Sequence, residues 1–377
     1  MRVLFVTPMH AAFHAGGLGS SCARISTGLA KAGHIVSVAV FDSGSQQLDA
    51  TKNPIGPVEQ LHGDVLLHYF PPFDSITSAQ SDAPILPPVD LHNTSIRLRV
   101  LIEKYRPAVI VAFYPVPLAL PISVIAQQYS IPVVLAFRGS DVARSVYEPG
   151  ALAILSAALR TAAACIFAAS DLHSLAAAIA APLPPSRVIY NGIEPDILDR
   201  AWSTNGRQAP IFGSIGIFKP VKGIEIFLRA IETLAMEERA ILVGDFAKTT
   251  SDRTQFRIRV TGLVPRSTSL DLLDDMDVFV APSLSEGCPN AVLEAMAAGK
   301  AILCSRVGAM RDLLEQRQSA IFLDDWSETS MREAMLELDG NASLRQELGQ
   351  RSREIARTLT LAREIGEWNE LLQETAR

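Results

Sequence analysis

Cysteine and aromatic residues are both scarce in this sequence of 377 residues. Its four cysteines, Cys22, Cys165, Cys288 and Cys304, form no C-x-x-C pair and are too few for a disulfide framework, which favours a reducing, cytoplasmic location. Charged residues make up 20% of the chain and hydrophobic residues 48%, a balance that excludes global disorder. The net charge of -6 argues against broad nucleic-acid binding, because such binding needs a basic surface.

Uncharged segments that are free of proline and long enough to cross a membrane are also missing. The initial apolar run, MRVLFVTP, is too short for a secretory signal. The uncharged stretch 108–129 contains Pro115, Pro117 and Pro121, so a buried strand followed by a loop and a helix explains it better than a membrane span. The length of the chain predicts two domains.

Short apolar runs typical of buried strands alternate with helical patterns along the whole chain. The first series of predicted strands comprises Val3–Thr7, Val36–Phe41, Val65–Phe70, Val109–Phe113, Val133–Phe137, Cys165–Ala168 and Val188–Tyr190. The second comprises Ile211–Ile215, Ala240–Val243, Arg257–Val260, Val278–Ala281, Ala301–Cys304 and Ala320–Phe322. Two such series predict an α/β protein with two doubly wound, Rossmann-like domains that face each other across a cleft.

The segment 203–210, STNGRQAP, separates the two series and has the composition of a linker. We therefore predict an N-terminal domain at residues 1–202 and a C-terminal domain at residues 203–355. A helical tail rich in Glu, Arg and Leu follows, and residues 356–377 form its last part.

Two glycine-containing segments lie between a predicted strand and a predicted helix. In AGGLGS (15–20), Gly16 and Gly17 would let backbone amides approach an anion, although a tight strand-to-helix turn explains the segment equally well. In FGSIGIFKPVKG (212–223), Lys219 and Lys222 would neutralise a diphosphate. The alternative for the second segment is a surface loop with solvated lysines.

The most specific motif is PSLSEGCPNAVLEAMAAGK (282–300). Its first glutamate, Glu286, precedes a helix that begins near Pro289 or Asn290, and Glu294 lies inside that helix. The amides between the two carboxylates form a candidate anion site at the helix N-terminus. Because Glu294 lies in an otherwise apolar stretch, it needs a partner or a ligand.

Other kinds of chemistry have little support. The acidic run Asp275–Asp277 is better explained as helix-end carboxylates than as a metal site, and His10 and His14 lack further ligands nearby. No G-x-S-x-G elbow occurs, so a serine hydrolase is not predicted.

Taken in order, these motifs resemble a known family. The sequence is similar to the glycogen-synthase-like retaining glycosyltransferases of family four, which have the GT-B fold. The matching segments are the loop at 15–19, VIYNGIEP (188–195), KPVKG (219–223), VTGLVPR (260–266) and DVFVAPSLSEGCPNAVLEAMAAGKAIL (277–303). The E-x7-E spacing of Glu286 and Glu294 is the signature of that family.

The resemblance implies a nucleotide-sugar donor, linked to UDP, GDP, ADP or dTDP, bound mainly by the C-terminal domain. It implies a saccharide, lipid-linked or small-molecule acceptor bound by the N-terminal domain, and a C-terminal helix that crosses back to that domain. It also implies retention of anomeric configuration, with no tightly bound cofactor or metal.

The resemblance further assigns roles to residues. Glu294 would hold the ribose hydroxyls, Glu286 would face the donor sugar, and Lys222 would contact the diphosphate. The implied donor ligands are Gly16, Gly17, Gly216, Lys219, Lys222, Leu263, Val264, Glu286, Gly287, Cys288, Pro289, Asn290 and Glu294. The implied catalytic residues are Lys222, Glu286, Arg138 and Asp141.

Two positions depart from the family pattern. Gly216 stands where relatives commonly have an arginine, and the ammonium of Lys219 cannot reproduce its bidentate fork. In FRGSD (137–141), Arg138 stands where many relatives have histidine. This leaves open how the hydroxymethyl end of the sugar is recognised and whether the acceptor is anionic.

Catalysis in such an enzyme depends on stabilising the departing diphosphate. We expect Lys222, Lys219 and the helix amides after Glu286 to do so while the acceptor hydroxyl attacks from the same face. Three alternatives are a nucleotide-sugar epimerase, a catalytically impaired nucleotide-sugar-binding protein, and a phosphorylase, which would use inorganic phosphate and bind no nucleotide. A basic pattern of Arg97, Arg99, Lys104 and Arg106 forms either a solvated helix face, which we favour, or a peripheral contact with the inner face of the membrane.

Overall fold

A computed structural model describes residues 1–13, 16–42, 58–70, 91–203, 207–246 and 258–377 of the chain. The chain divides into two compact units. The first consists of Met1–Tyr190 and Ala362–Arg377, and the second of Asn191–Leu361. Each unit has its own sheet with helices connecting the strands.

The first unit contains an eight-stranded sheet in the order β3-β4-β2-β1-β5-β6-β7-β8. Its strands are β1 (Arg2–Thr7), β2 (Ile35–Phe41), β3 (Val58–His62), β4 (Val65–Phe70), β5 (Val109–Phe113), β6 (Val133–Phe137), β7 (Ala164–Phe167) and β8 (Ser186–Val188). All neighbouring strands are parallel except β3 and β4, which pair antiparallel.

The second unit contains a six-stranded parallel sheet in the order β11-β10-β9-β12-β13-β14. Its strands are β9 (Phe212–Ile215), β10 (Ala240–Val243), β11 (Arg259–Val260), β12 (Val278–Ala281), β13 (Ala301–Cys304) and β14 (Ile321–Phe322). The two parallel sheets confirm the predicted α/β class.

The helices follow the strands in the alternation that parallel sheets require. They are α1 (Gly17–Lys31), α2 (Leu91–Tyr105), α3 (Ala119–Gln128), α4 (Ser140–Ala143), α5 (Pro149–Thr161), α6 (Ser170–Ile179), α7 (Pro195–Leu198), α8 (Ile224–Leu234), α9 (Arg266–Asp274), α10 (Asn290–Ala297), α11 (Gly308–Leu313), α12 (Glu328–Gly340), α13 (Ala342–Thr358) and α14 (Leu361–Thr375). Among the described residues, none of these helices is long and apolar enough to cross a bilayer.

Burial explains why the central strands lack polar alternation. Every residue of β5, β6 and β12 is buried, because helices cover both faces of each sheet. The antiparallel strand β3, absent from the prediction, lies at the edge of the first sheet and is mostly exposed. Its sequence, VEQLH, is too polar to produce the apolar run by which the other strands are recognised.

The C-terminal helix α14 belongs to the core of the first unit. The indole of Trp368 is fully buried, with ring centroids 6.1 Å from Phe5 and 6.3 Å from Phe113. Glu364, also fully buried, accepts two hydrogen bonds from the guanidinium of Arg24 at 3.1 and 3.2 Å. This bidentate pair compensates the desolvation of the carboxylate.

The unit boundaries differ from those the linker composition predicts. The division falls between Tyr190 and Asn191 and again after Leu361, not at residues 202 and 355. The physical reason is the packing of 191–203 on the second unit: the side chain of Asn191 donates to the carbonyl of Cys288, and the Ser203 hydroxyl donates to Asp274. Linker-like composition therefore does not mark the boundary between the two units.

Candidate active site

A small crevice opens within the second unit at the carboxyl ends of β9 and β12. These strands are adjacent, and the chain leaves them toward opposite sides of the sheet, to β10 and to β13 respectively. Such a switch in strand order is where open parallel sheets form ligand sites. We call this space, lined among others by Gly216, Lys222, Ile224, Glu286 and Val292, the switch-point crevice.

Two helices begin at the switch-point crevice. Ile224 opens α8, and Ala291 and Val292 lie in the first turn of α10; all three line the crevice. Neither Gly223 nor Pro289, the residues that precede these helices, provides a side-chain cap. The amides of Ile226 and Val292 donate to the carbonyls of Gly223 and Pro289, whereas the first amides of an α-helix have no acceptor within it. Two positive helix ends therefore face the same small space.

Lys222 reaches the crevice because of a close backbone approach. Gly223 has φ of 62°, and a Cβ there would lie 2.1 Å from the carbonyl oxygen of Pro282. Only glycine can therefore bring the turn that carries Lys222 against the loop after β12. The ammonium of Lys222 donates to the Glu286 carboxylate at 2.5 Å, and the same oxygen accepts from the Ser283 hydroxyl at 2.7 Å.

The loop that carries Glu286 is held from two sides. Asn191 donates from its side-chain amide to the Cys288 carbonyl and to the Asn290 side chain, each at 2.7 Å. On the other side, a Cβ on Gly308 would lie 2.4 Å from the Gly287 carbonyl oxygen, and the Ala309 amide donates to that oxygen at 2.7 Å. The loop therefore has little freedom to move.

Glu294 lies in α10, as its spacing from Glu286 predicts, and has a protein partner. The Arg266 guanidinium donates to Glu294 at 3.0 Å with one nitrogen and to Glu194 at 2.5 Å with another. Burial lowers the pKa of Arg266, but the charges of Glu294 and Glu194 outweigh it and raise that pKa. The need of Glu294 for a partner was predictable; the identity of the partner was not, because 28 residues separate the pair.

The predicted donor ligands of the second unit fall into two groups. Gly216, Lys222, Glu286 and Pro289 line the switch-point crevice. Lying outside that lining are Lys219, Leu263, Val264, Gly287, Cys288, Asn290 and Glu294. Of these, Lys219 and Leu263 are exposed, and Leu263 and Val264 occupy the loop between β11 and α9.

Sequence reasoning missed four residues that shape this site: Asn191, Arg266, Ser283 and Gly308. Asn191 and Arg266 occur in segments that carry the family resemblance, which was the available signal for them. Ser283 and Gly308 act through contacts of their folded loops, for which the sequence has no pattern.

In the first unit, the predicted site residues lie after the carboxyl ends of β1 and β6. Gly16 caps α1 with φ of 117°, and Gly17 is its first residue. His14 and Ala15 lie outside the described residues. After β6, the Arg138 guanidinium lies 5.3 Å from the Phe113 ring centroid.

Asp141, predicted as catalytic, is fully buried and faces the backbone. Its carboxylate accepts from the Arg138 amide, at 3.0 Å to each oxygen, and from the Gly139 amide at 2.7 Å. Burial raises the pKa of Asp141 to about 6, and the amide hydrogen bonds act in the opposite direction. By accepting these amide hydrogen bonds, the Asp141 carboxylate fixes the backbone of the turn that contains Arg138.

The basic residues of α2, and Arg106 directly after it, have different environments. The Arg97 guanidinium lies 4.9 Å from the Phe70 ring, and Lys104 pairs with Glu59 at 3.0 Å. Arg99 and Arg106 are exposed. For metal binding, the described ranges contain no group of three His, Cys, Asp or Glu side chains that could hold an ion.

Two family models match the chain. The model described as glycosyl transferases group 1 matches residues 209–341, and the one described as Glycosyltransferase Family 4 matches residues 15–197. A Bacillus subtilis protein that carries the name of a teichuronic acid biosynthesis glycosyltransferase, TuaC, is 29% identical over 222 residues, 56% of each chain. The chain spans about half the length of the curated relatives it matches.

Solved structures share the fold over nearly the whole length. Sucrose-phosphate synthase from Thermosynechococcus elongatus has a TM-score of 0.77 at 16% identity, covering 99% of both chains. The Anabaena protein Alr3699/HepE, in complex with UDP, has a TM-score of 0.73 at 15% identity, covering 99% of this chain and 100% of that one. These structures show the GT-B fold, and the two family models make the chain similar to glycosyltransferases over residues 15–197 and 209–341.

Proposed function

We propose that the protein transfers a glycosyl unit from a nucleoside diphosphate sugar to an acceptor hydroxyl with retention of anomeric configuration. The donor diphosphate would lie in the switch-point crevice. The observation that carries this proposal is the presence of Lys222 and two helix N-termini at one crevice of the second unit. An ammonium and two positive helix ends together suit a ligand with several negative charges.

Lys222 and the first-turn amides of α8 and α10 would stabilise charge on the departing diphosphate. Fixed donors of this kind are effective because they need no reorganisation as the charge develops. The ammonium of Lys222 is paired with the Glu286 carboxylate. Donor binding would place phosphate oxygens at the ammonium, so that Glu286 can turn toward the hydroxyls of the sugar.

The bond from the anomeric carbon to the diphosphate would break as the acceptor oxygen bonds to the same face. The departing phosphate oxygen would take the acceptor's proton. This route needs no covalent enzyme intermediate and no tightly bound metal, because the ammonium and the amides neutralise the leaving group.

The remaining donor contacts follow the family resemblance. Glu294 would accept hydrogen bonds from the ribose, and the backbone at Leu263 and Val264 would contact the base. Gly216, without a side chain, would leave room for the diphosphate beside β9. Gly216 lines the crevice, and the loop of Leu263 and Val264 follows β11 at the carboxyl edge of the second sheet, which supports the roles of these three residues.

The first unit would bind the acceptor: a saccharide, a lipid-linked saccharide or a small molecule. Gly16 and Gly17 would line its entrance, and Arg138 would contact it. The buried carboxylate of Asp141 supports a role for that residue in positioning Arg138 rather than in proton transfer. We propose a cytoplasmic location for the reaction, with peripheral membrane attachment as the alternative.

Thermal-shift measurements with UDP-, GDP-, ADP- and dTDP-sugars test the donor site. We expect at least one of them to raise the unfolding temperature of the wild type, since ligand binding stabilises the native state. The increase should be smaller in Lys222→Met. Absence of stabilisation by any of the four at millimolar concentration would contradict the proposal.

Two product analyses complete the test. NMR of the product should show the anomeric configuration of the donor, whereas inversion would exclude the retaining mechanism. Incubation of the donor without acceptor should yield no epimer, which separates transfer from epimerisation.

A further inference from the structure

Arg266 links three segments that are far apart in sequence. It is the first residue of α9, and its guanidinium contacts Glu194, directly before α7, and Glu294, within α10. The distances are 2.5 Å from Nη1 to Glu194 Oε2 and 3.0 Å from Nη2 to Glu294 Oε1. All three residues belong to the second unit.

In this cluster of Arg266, Glu194 and Glu294, the solvent exposure of the side chains shows that Glu294 depends most on its partner. The Glu294 side chain is 16% exposed, whereas Arg266 is 54% exposed. A carboxylate so far removed from water needs a cation or several hydrogen bonds to remain ionised. The planar guanidinium supplies charge and direction together, because its N–H groups form a fixed fork.

The cluster keeps the capacity to accept hydrogen bonds. Two carboxylates and one guanidinium leave a net charge of about one negative unit, and each carboxylate can accept roughly four hydrogen bonds. The guanidinium can therefore hold Glu294 while hydroxyl groups donate to the same carboxylate. Vicinal hydroxyls, which donate in a paired geometry, suit an acceptor whose orientation is already set.

The position of Arg266 in the chain adds a second link. It directly follows Leu263, Val264 and Pro265, the loop proposed to contact the base. Through the pair with Glu294, this loop is tied to the helix that carries the proposed ribose ligand. One side chain thus sets the spacing between two parts of a nucleoside site.

We propose that Arg266 is a positioning residue for the nucleoside of the donor. It orients Glu294 toward both ribose hydroxyls, and Glu194 holds Arg266 from the opposite side. The preferred donor then carries a ribose with 2′- and 3′-hydroxyls rather than a 2′-deoxyribose. This inference rests on the proposed function, specifically on a ribose contact by Glu294.

Calorimetric titration with UDP, GDP and ADP and with their 2′-deoxy analogues tests the proposal. Using the ribonucleotide that binds most tightly, the wild type should bind the deoxy analogue about tenfold or more weakly, because a hydrogen bond to a charged group is lost. In Arg266→Gln this ratio should fall to about two or less, as Glu294 loses its orientation. Glu194→Gln should lower the ratio in the same direction.

Arg200→Gln is the matched control. Arg200 also pairs with a carboxylate of α9, Asp271 at 2.6 Å, but does not contact Glu294. Its ribose-to-deoxyribose ratio should equal that of the wild type. Unfolding temperatures of all variants separate a positioning effect from general destabilisation, and Glu194→Gln provides the test if Arg266→Gln does not fold.

The outcomes are distinct. An unchanged ratio in folded Arg266→Gln, or tight binding of dTDP with no binding of the ribonucleotides, overturns the inference. If Glu294→Gln leaves the ratio unchanged as well, the ribose contact within the proposed function is wrong. If Glu294→Gln abolishes the discrimination while Arg266→Gln and Glu194→Gln do not, only the role of Arg266 is wrong.

Discussion

Replacing Lys222 with Met removes the ammonium from the switch-point crevice and keeps an apolar side chain of similar length. In the proposed complex the ammonium lies near the donor diphosphate. Two unit charges about 4 Å apart interact by about 4 kcal/mol at an effective dielectric constant of about 20. Since each 1.4 kcal/mol corresponds to a factor of ten, kcat/KM should fall by about a thousandfold.

The substitution should also lower the stability of the folded state. Lys222 is 35% exposed, but its partner Glu286 is 12% exposed, so removing the ammonium leaves a largely buried carboxylate without its cation. The unfolding temperature should therefore fall, and activity is compared at a temperature at which both proteins are folded. Activity is measured as release of the nucleoside diphosphate at donor concentrations well below KM.

Lys219→Met is the comparison variant, because Lys219 is exposed and lies outside the crevice lining. Its charge is screened by solvent, so we expect a loss of less than about tenfold. A kcat/KM within tenfold of the wild type in folded Lys222→Met would refute the role of the ammonium. An equal loss in both variants would point to the overall charge of the loop instead.

Three further predictions concern the framework of the protein. Gly308→Ala should lower the free energy of unfolding by about 1–3 kcal/mol and the turnover rate at least tenfold, because the new Cβ meets the Gly287 and Glu286 carbonyls at a backbone φ of 55°. Urea unfolding and initial rates measure these effects. Gly340→Ala is the control, because Gly340 has open space around it. Trp368→Ala should cost about 3–5 kcal/mol by leaving a cavity beside Phe5 and Phe113, measured by denaturant unfolding. Burial raises the pKa of Asp141 to about 6 in the native state, so the native state binds more protons than the unfolded state between about pH 4 and 6. Relative to Asp141→Asn, the stability of the wild type should therefore fall as the pH rises through that window and then level off. Thermal unfolding at several pH values measures this dependence. An increase in relative stability with pH would contradict this assignment.

Much of the fold was predictable because its signals are local. Strands such as Val109–Phe113 and Val133–Phe137 are apolar throughout, and burial on both faces of a parallel sheet requires this. The strand β3 was missed because an exposed edge does not impose the same pattern. The domain boundary was displaced because composition is a local property, whereas long-range contacts such as those of Asn191 decide which unit a segment joins.

The candidate site divides in the same way. The spacing of Glu286 and Glu294, the helix between them and the glycines beside Lys222 could all be predicted from neighbouring residues. The partners of these residues could not. Arg266 meets Glu294, Gly308 supports Glu286, and Asp141 turns toward its own backbone through the arrangement of loops at the carboxyl ends of the sheets.

Short-range periodicity and residue chemistry were thus sufficient to predict the class of the fold and the number of units, and they indicated candidate residues for a charged ligand. Tertiary structure decided which of those residues meet. Strand order places β9 beside β12, and this adjacency brings Lys222 to Glu286 across 64 residues of sequence. Local sequence does not encode such distances, since they depend on how all the strands of the sheet pair.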